Sequence, residues 1–238
     1  MRKTILVSLC LLSGWMAWSQ RSVAEGEIIY HVCQRSFYDS NGDLNGDLNG
    51  LREKLPYLQE LGVTSILLFP LYESDCYHNY FANDFEQIDS EFGSMQDYIA
   101  LVKEVHRRGM KIYLDMETQY VTSEHLWWKD AVGNLDSKYS DYLLFEDAAH
   151  EKPATMVFDL RLLNGFDGKV IYVTTANLKS PKVLEYNIAL FSYFMDPNKD
   201  GKFDDGADGF RLDHAMDHLD GKPTLTNLFA EFWKPLIT

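Results

Sequence analysis

Four short strand-like runs separated by helical periodicities limit the fold of this chain more than any other feature. The runs are Ile28 to Cys33, Thr64 to Phe69, Lys111 to Asp115 and Asp208 to Asp213. The second is almost wholly apolar, as expected of a strand covered on both faces. Between the first two runs, residues 50–62 place Leu51, Leu55, Leu58 and Leu61 at helical spacing. Gly62 is the stop, and Pro56 is expected to kink the helix. Ser94 with Asp97 forms a capping box ahead of the apolar stripe Tyr98, Leu101, Val102 and Val105, and Gly109 ends that helix. Residues 182–195 read as a third helix. Leu225, Leu228, Phe229, Phe232, Trp233 and Leu236 read as one stripe of a fourth.

Strands alternating with helices imply a parallel sheet. The predicted fold is therefore α/β: the N-terminal half of a (β/α)8 TIM barrel, strands 1 to 4. Residues 116–180 form a long, weakly periodic excursion after strand 3, with a β-like run at Lys169 to Thr175. Active sites of such barrels are built at the C-terminal ends of the strands. Two of the four runs end there in an acid, Asp115 and Asp213.

The first 19 residues read as a signal peptide. Arg2 and Lys3 give the positive start, Ile5 to Leu12 the apolar run, and Ala17 and Ser19 the small residues of a cleavage site before Gln20. The run is short for a membrane span. This predicts a secreted, periplasmic or cell-surface protein, residues 20–238, with no span in the mature chain. In that compartment Cys33 and Cys76 either pair or remain two buried thiols; two cysteines do not make a disulfide framework. With 36 acidic against 22 basic residues the net charge is −14, which argues against nucleic acid and anionic membrane surfaces as partners.

The sharpest local signal is Arg211-Leu212-Asp213 at the end of the last strand. The two-residue period puts Arg211 and Asp213 on one face. An ionised carboxylate at a barrel mouth suits the nucleophile of retaining glycoside hydrolysis. The same pair would equally serve as an ion pair closing a strand.

Two loops place oxygen-bearing residues at alternate positions, in the manner of calcium loops. The first runs through Asp39, Asn41, Asp43, Asn45 and Asp47. The second runs through Asp196, Asn198, Asp200, Lys202 and Asp204, with Gly201 at the sharp turn. Either is otherwise a polar turn, and the predicted cofactor is structural calcium.

The wider pattern resembles the α-amylase family of glycoside hydrolases. Gln34 to Asp39, Leu58 to Thr64, Tyr77 to Tyr80, Phe92 to Ser94, Gly109 to Asp115 and Asp208 to Asp213 follow one another at family spacing. The resemblance implies that Asp213 is the nucleophile, that Arg211 orients it, and that Asp115 supports the site. It implies that His78 and Tyr80 flank the reacting sugar, and that a structural cation sits at the first loop, with Asn45 acting through its carbonyl. The implied partner is an α-1,4-glucan of the starch type.

There are departures from the family pattern. Gln119-Tyr120 stands where the family usually carries Asn-His, and Met216-Asp217 stands where it often carries Lys-His. His125 and Trp127 still fit. The family's general acid is a Glu ending a fifth strand. Glu231 falls on the solvated face of the last helix and is a poor substitute. The chain as written is thus expected to be truncated, fragmentary or inactive, the alternative being a non-catalytic exported remnant that binds glucan or calcium.

Overall fold

The computed structural model describes residues 26–165, 168–219 and 221–238. The expected signal peptide, 1–19, lies outside these residues. In chain order the elements are β1 (Ile29–Val32), α1 (Leu48–Glu60), β2 (Ser65–Leu68), β3 (Tyr72–Glu73), β4 (Asp84–Ile88), α2 (Met95–Arg107), β5 (Lys111–Met116), β6 (Tyr120–Thr122), α3 (Leu126–Ala131), β7 (Leu162–Asn164), β8 (Val170–Thr175), α4 (Pro181–Met195) and β9 (Gly209–Leu212). A terminal helix opens in π form over Phe229–Trp233 and closes as α5 (Lys234–Leu236).

Strands β1, β2, β5 and β9 make one sheet in that order, and every pairing is parallel. These are the four strands the sequence predicts. Ile66 lies opposite Ile112, and Asp115 opposite Arg211. The second pairing brings two functional side chains level at the C-terminal rim. Leu48, Leu51, Leu55 and Leu58 of α1, and Tyr98, Leu101, Val102 and Val105 of α2, are fully buried. Each such leucine contributes roughly 1.5–3 kcal/mol of burial, an upper figure for a chain that is partly compact when unfolded.

Both helices end in a Schellman motif. Gly62 (φ 87°) and Gly109 (φ 68°) take the left-handed position, and the following amides of Val63 and Met110 reach back to the carbonyls of Leu58 and Val105. Helix α1 runs unbroken through Pro56, which lies on the exposed side and so leaves its lost hydrogen bond to water. Leu61 follows the helix as its C-cap and is exposed rather than part of the buried stripe.

The excursion folds as a three-stranded antiparallel sheet, β6–β8–β7, with α3 beside it. Its central strand is the β-like run read from sequence. The hairpin-like pair β3–β4 and the short α3 were not anticipated. The last helix starts later than its stripe suggests, because Asn227 adopts φ 61° and separates Leu225 from it. The wider π turn then rotates Phe229 out of the buried stripe, leaving it 54% exposed while Phe232 is fully buried.

Cys33 and Cys76 are free thiols. Burial pushes the Cys76 thiol up to about 11, so it is an inert core residue. Among the described residues no helix is long and apolar enough to cross a membrane.

Candidate active site

The parallel sheet gathers Asp115, Arg211 and Asp213 at its C-terminal rim. Arg211 Nη1 lies 2.9 and 2.8 Å from the two Asp115 oxygens and 2.7 Å from Asp213 Oδ1. One guanidinium nitrogen thus holds two carboxylates, and the same-face expectation for Arg211 and Asp213 is met. Asp115 is fully buried, while Asp213 keeps a fifth of its side chain in solvent. The supporting acid is sealed and the other is reachable. Burial raises the Asp115 carboxyl above its usual range. Hydrogen bonds from Tyr80 and Arg211, and the Arg211 charge, pull the other way without outweighing it. For Arg211, burial works against the cation, yet the bonds and charges of Asp115 and Asp213 leave it raised.

Tyr80 donates from its hydroxyl to Asp115 Oδ2 at 2.7 Å. Burial, and then that bond, hold the phenol well above its ordinary value, so it stays a donor. His78 lies beside it, with ring centroids 5.4 Å apart, and its Nδ1 accepts the Tyr80 amide at 3.1 Å. Burial lowers the His78 imidazole, favouring the neutral ring. The loop carrying both is held from below. Arg35 reaches the Tyr77 carbonyl, the Asn79 amide oxygen and Asp89. Asn79 adopts φ 58°, a conformation asparagine tolerates better than most residues.

Sequence reasoning missed three members of the rim. His31 Nε2 sits 3.5 Å from Asp115 Oδ2, and its ring packs on Phe69 at 4.6 Å. Phe69 in turn meets Tyr80 edge-on at 5.7 Å. A lone polar residue inside the apolar run Ile28 to Cys33 was the available signal for His31. Gln119, noted only as a departure, is fully buried, and its amide reaches the carbonyls of Asp213 and His214.

The other candidates lie apart from this cluster. Glu231 is exposed, paired with Lys179 and bonded by Asn227, which hold its carboxyl below the usual range. A general acid needs the opposite shift. In the first polar loop Asp39 accepts the amides of Asn41, Gly42 and Leu44, Asn41 accepts that of Asp43, and Asp43 accepts that of Asn45. Asp47 bonds Ser40 and caps α1 through Gly50. In the second loop Asp196 and Asn198 accept the Asp200 amide, Asp196 also that of Gly201, and Asp200 that of Lys202. The Asp204 carbonyl lies 3.3 Å from His106 Nδ1. The donors are oxygens, which suits a hard cation. Among the described residues, however, no group of three or more His, Cys, Asp or Glu is placed to hold one.

Known proteins place this geometry. The family model for the alpha amylase catalytic domain matches residues 31–227. "Alpha-amylase 3" of Dictyoglomus thermophilum is 32% identical over 211 residues, covering 88% of this chain and 40% of that protein. An oligo-1,6-glucosidase of Parageobacillus thermoglucosidasius is 38% identical over 126 residues, 52% of this chain and 22% of that protein. The crystal structure of the alpha-amylase from H. orenii superposes with a TM-score of 0.64 at 31% identity, covering 79% of this chain and 40% of that one. The chain therefore spans less than half the length of these relatives. The matched span contains the end of β1, the whole of β2, β5 and β9, and the Asp115–Arg211–Asp213 cluster, and the chain belongs to the alpha-amylase family of glycoside hydrolases.

Proposed function

We propose that Asp213 is the nucleophile of a retaining hydrolase acting on α-1,4-linked glucans. The observation that carries this reading is the shared guanidinium: Arg211 fixes Asp213 against a sealed Asp115 at the strand ends, with the Tyr80 ring alongside. In the first half-reaction an Asp213 oxygen bonds the anomeric carbon, and the glycosidic C–O bond breaks. The leaving oxygen takes the electron pair and a proton from a general acid. Water then releases the sugar from Asp213. Tyr80 and His78 supply an apolar face and ring nitrogens beside the sugar.

Neither Asp115, with its oxygens already taken, nor Glu231 is built to protonate a leaving oxygen. Starch hydrolysis by this chain is therefore expected below detection. A glucosyl fluoride with a second fluorine at C5 removes that requirement, because fluoride leaves without a proton. The chain is expected to gain one 5-fluoroglucosyl unit on the Asp213 peptide by mass spectrometry. Asp213→Asn should take none, and maltooligosaccharides should protect better than isomaltooligosaccharides. Absence of label, or label on another residue, sinks the reading.

We also propose export, resting on the Arg2–Ser19 pattern, and calcium in the two polar loops, resting on their alternating oxygens and the left-handed Gly42 (φ 84°) and Gly201 (φ 78°). Secreted protein whose mass starts before Gln20 would refute the first. A calcium titration of chelator-treated protein showing no heat would refute the second.

A further inference from the structure

Behind the rim lies a buried polar chain that touches no solvent and has no place in the chemistry above. Tyr72, Glu117 and Gln119 are each at most 1% exposed. The Tyr72 hydroxyl donates to the Glu117 carbonyl at 2.6 Å and lies 3.0 Å from the Glu117 amide, which donates to it. Glu117 Oε1 accepts the Gln119 amide at 2.6 Å. Burial, and then the charges of Asp213 and Asp115, raise the Glu117 carboxyl well above its usual range.

Gln119 completes the chain. Its Nε2 donates to the Asp213 carbonyl at 2.7 Å and to the His214 carbonyl at 2.9 Å, while its Oε1 accepts the Thr118 amide at 3.0 Å. Only one orientation of the amide satisfies all three bonds, so its placement is determined. The two carbonyls flank the peptide plane that leaves β9. There His214 adopts φ 47°, the left-handed region that residues with a Cβ avoid. The Asp213 amide donates to Met116 O at 2.9 Å, the last rung of the β5–β9 ladder. A strand that would fray at its end is thus tied from two sides, and the turn that must follow it is locked.

We propose that Gln119 is a positioning residue for Asp213: its amide clamps the Asp213–His214 turn, and Glu117 and Tyr72 hold Gln119 in register. The clamp acts through main-chain carbonyls and makes no contact with sugar. The proposal rests on Asp213 being the nucleophile, so its test has one arm that depends on that reading and one that does not.

Gln119→Asn keeps the amide but shortens its reach by one methylene. Gln119→Met keeps the length and removes the donors. In the first arm, both variants are compared with the wild-type chain for labelling by the C5-fluorinated glucosyl fluoride. The expected result is at least a tenfold loss in the maximal labelling rate, with the half-saturating concentration within about twofold of wild type. In the second arm, amide hydrogen exchange is followed across residues 213–217. Exchange there should speed by tenfold or more in both variants, with no change across Ser65–Leu68 or Lys111–Leu114. A lower melting temperature with the labelling rate intact would show Gln119 to be packing only, and overturn the proposal. Unchanged exchange across 213–217 in both variants would overturn it as well. A wild-type chain that takes no label removes the nucleophile reading; unchanged local exchange would then remove the clamp independently, and faster local exchange would keep it.

Discussion

The parallel sheet and the inserted antiparallel sheet of this chain are built on different rules. In the parallel sheet β2 and β5 lie between neighbours, and Ile66, Leu68, Ile112 and Leu114 are buried to within 2%. Strand β8 is likewise central in its own sheet and alternates more sharply: Ile171 and Val173 are buried while Val170 and Tyr172 are about half exposed. Both central strands thus bury one face, since Leu67 and Tyr113 on the other face of the parallel sheet are only partly buried; the sheets differ in strand direction and in their cover, α2 lying against β5. The lesson is about function as much as packing. The parallel sheet carries the acids and the arginine on its rim, where a small shift would misplace them. The antiparallel sheet meets that cluster at its root, where Gln119 and Tyr120 reach the turn after β9.

The most direct way to break this comparison is to make the same cavity in each sheet. Ile112 and Ile171 are both isoleucines in central strands, at 0% and 1% exposure. Truncating a buried isoleucine to alanine costs roughly 2–5 kcal/mol, with the high end where neighbours cannot relax into the gap. Ile112→Ala, in the sheet that packs against α2, is expected near 4 kcal/mol. It should lower the stability of every region together. Ile171→Ala is expected nearer 2 kcal/mol and to speed exchange within residues 120–122 and 162–175 before the rest. Denaturant unfolding with residue-level hydrogen exchange reads both. Equal losses with uniform exchange would show one cooperative unit and end the distinction.

The same contrast explains how much was legible in the sequence. Continuous apolar runs and helical stripes with their own stop signals identify β1, β2, β5, α1 and α2, because local pattern and tertiary burial agree there. The Asp213–Arg211 pairing follows from the strand period alone. What the period cannot supply is which strand lies beside which at the rim, so the sharing of Arg211 with Asp115, and the approach of His31, emerge only from the register. Gln119 was visible as an unusual residue, but its two acceptors lie more than ninety residues away and are main-chain atoms, which leave no mark in a side-chain pattern. Phe229 was misplaced for a different reason: a stripe drawn at 100° per residue does not hold through a π turn.

A finer probe of the region beside the inserted sheet is His125, which joins β6 to α3. It opens α3, its Nδ1 accepts the Trp127 amide at 3.1 Å, and its ring packs against Phe85 of β4 and against Trp127 at 5.1 and 4.7 Å. Burial, with a smaller push from Lys129, pulls the imidazole down to about 3. The folded chain therefore keeps this ring neutral, while the unfolded chain protonates it near the ordinary imidazole value of about 6.5. A base whose folded value is depressed binds its proton preferentially when unfolded. Its contribution is complete above that ordinary value and is lost as the pH falls from there toward 3. Protonation would also place a hydrogen on the nitrogen that accepts the Trp127 amide, so the helix cap and the aromatic packing fail together. At one proton per molecule the loss is about 2 kcal/mol between pH 7 and pH 5. His125→Asn keeps an N-cap acceptor and removes the titration, so the stability difference between wild type and this variant should shrink by that amount across the same interval. Exchange in residues 120–131 should rise first on acidification, with β1, β2 and β5 holding. A wild-type stability that runs parallel to that of the variant from pH 7 to 5 would mean that His125 is not held neutral by the fold, and that the contact between α3 and β4 is wetter than its packing implies.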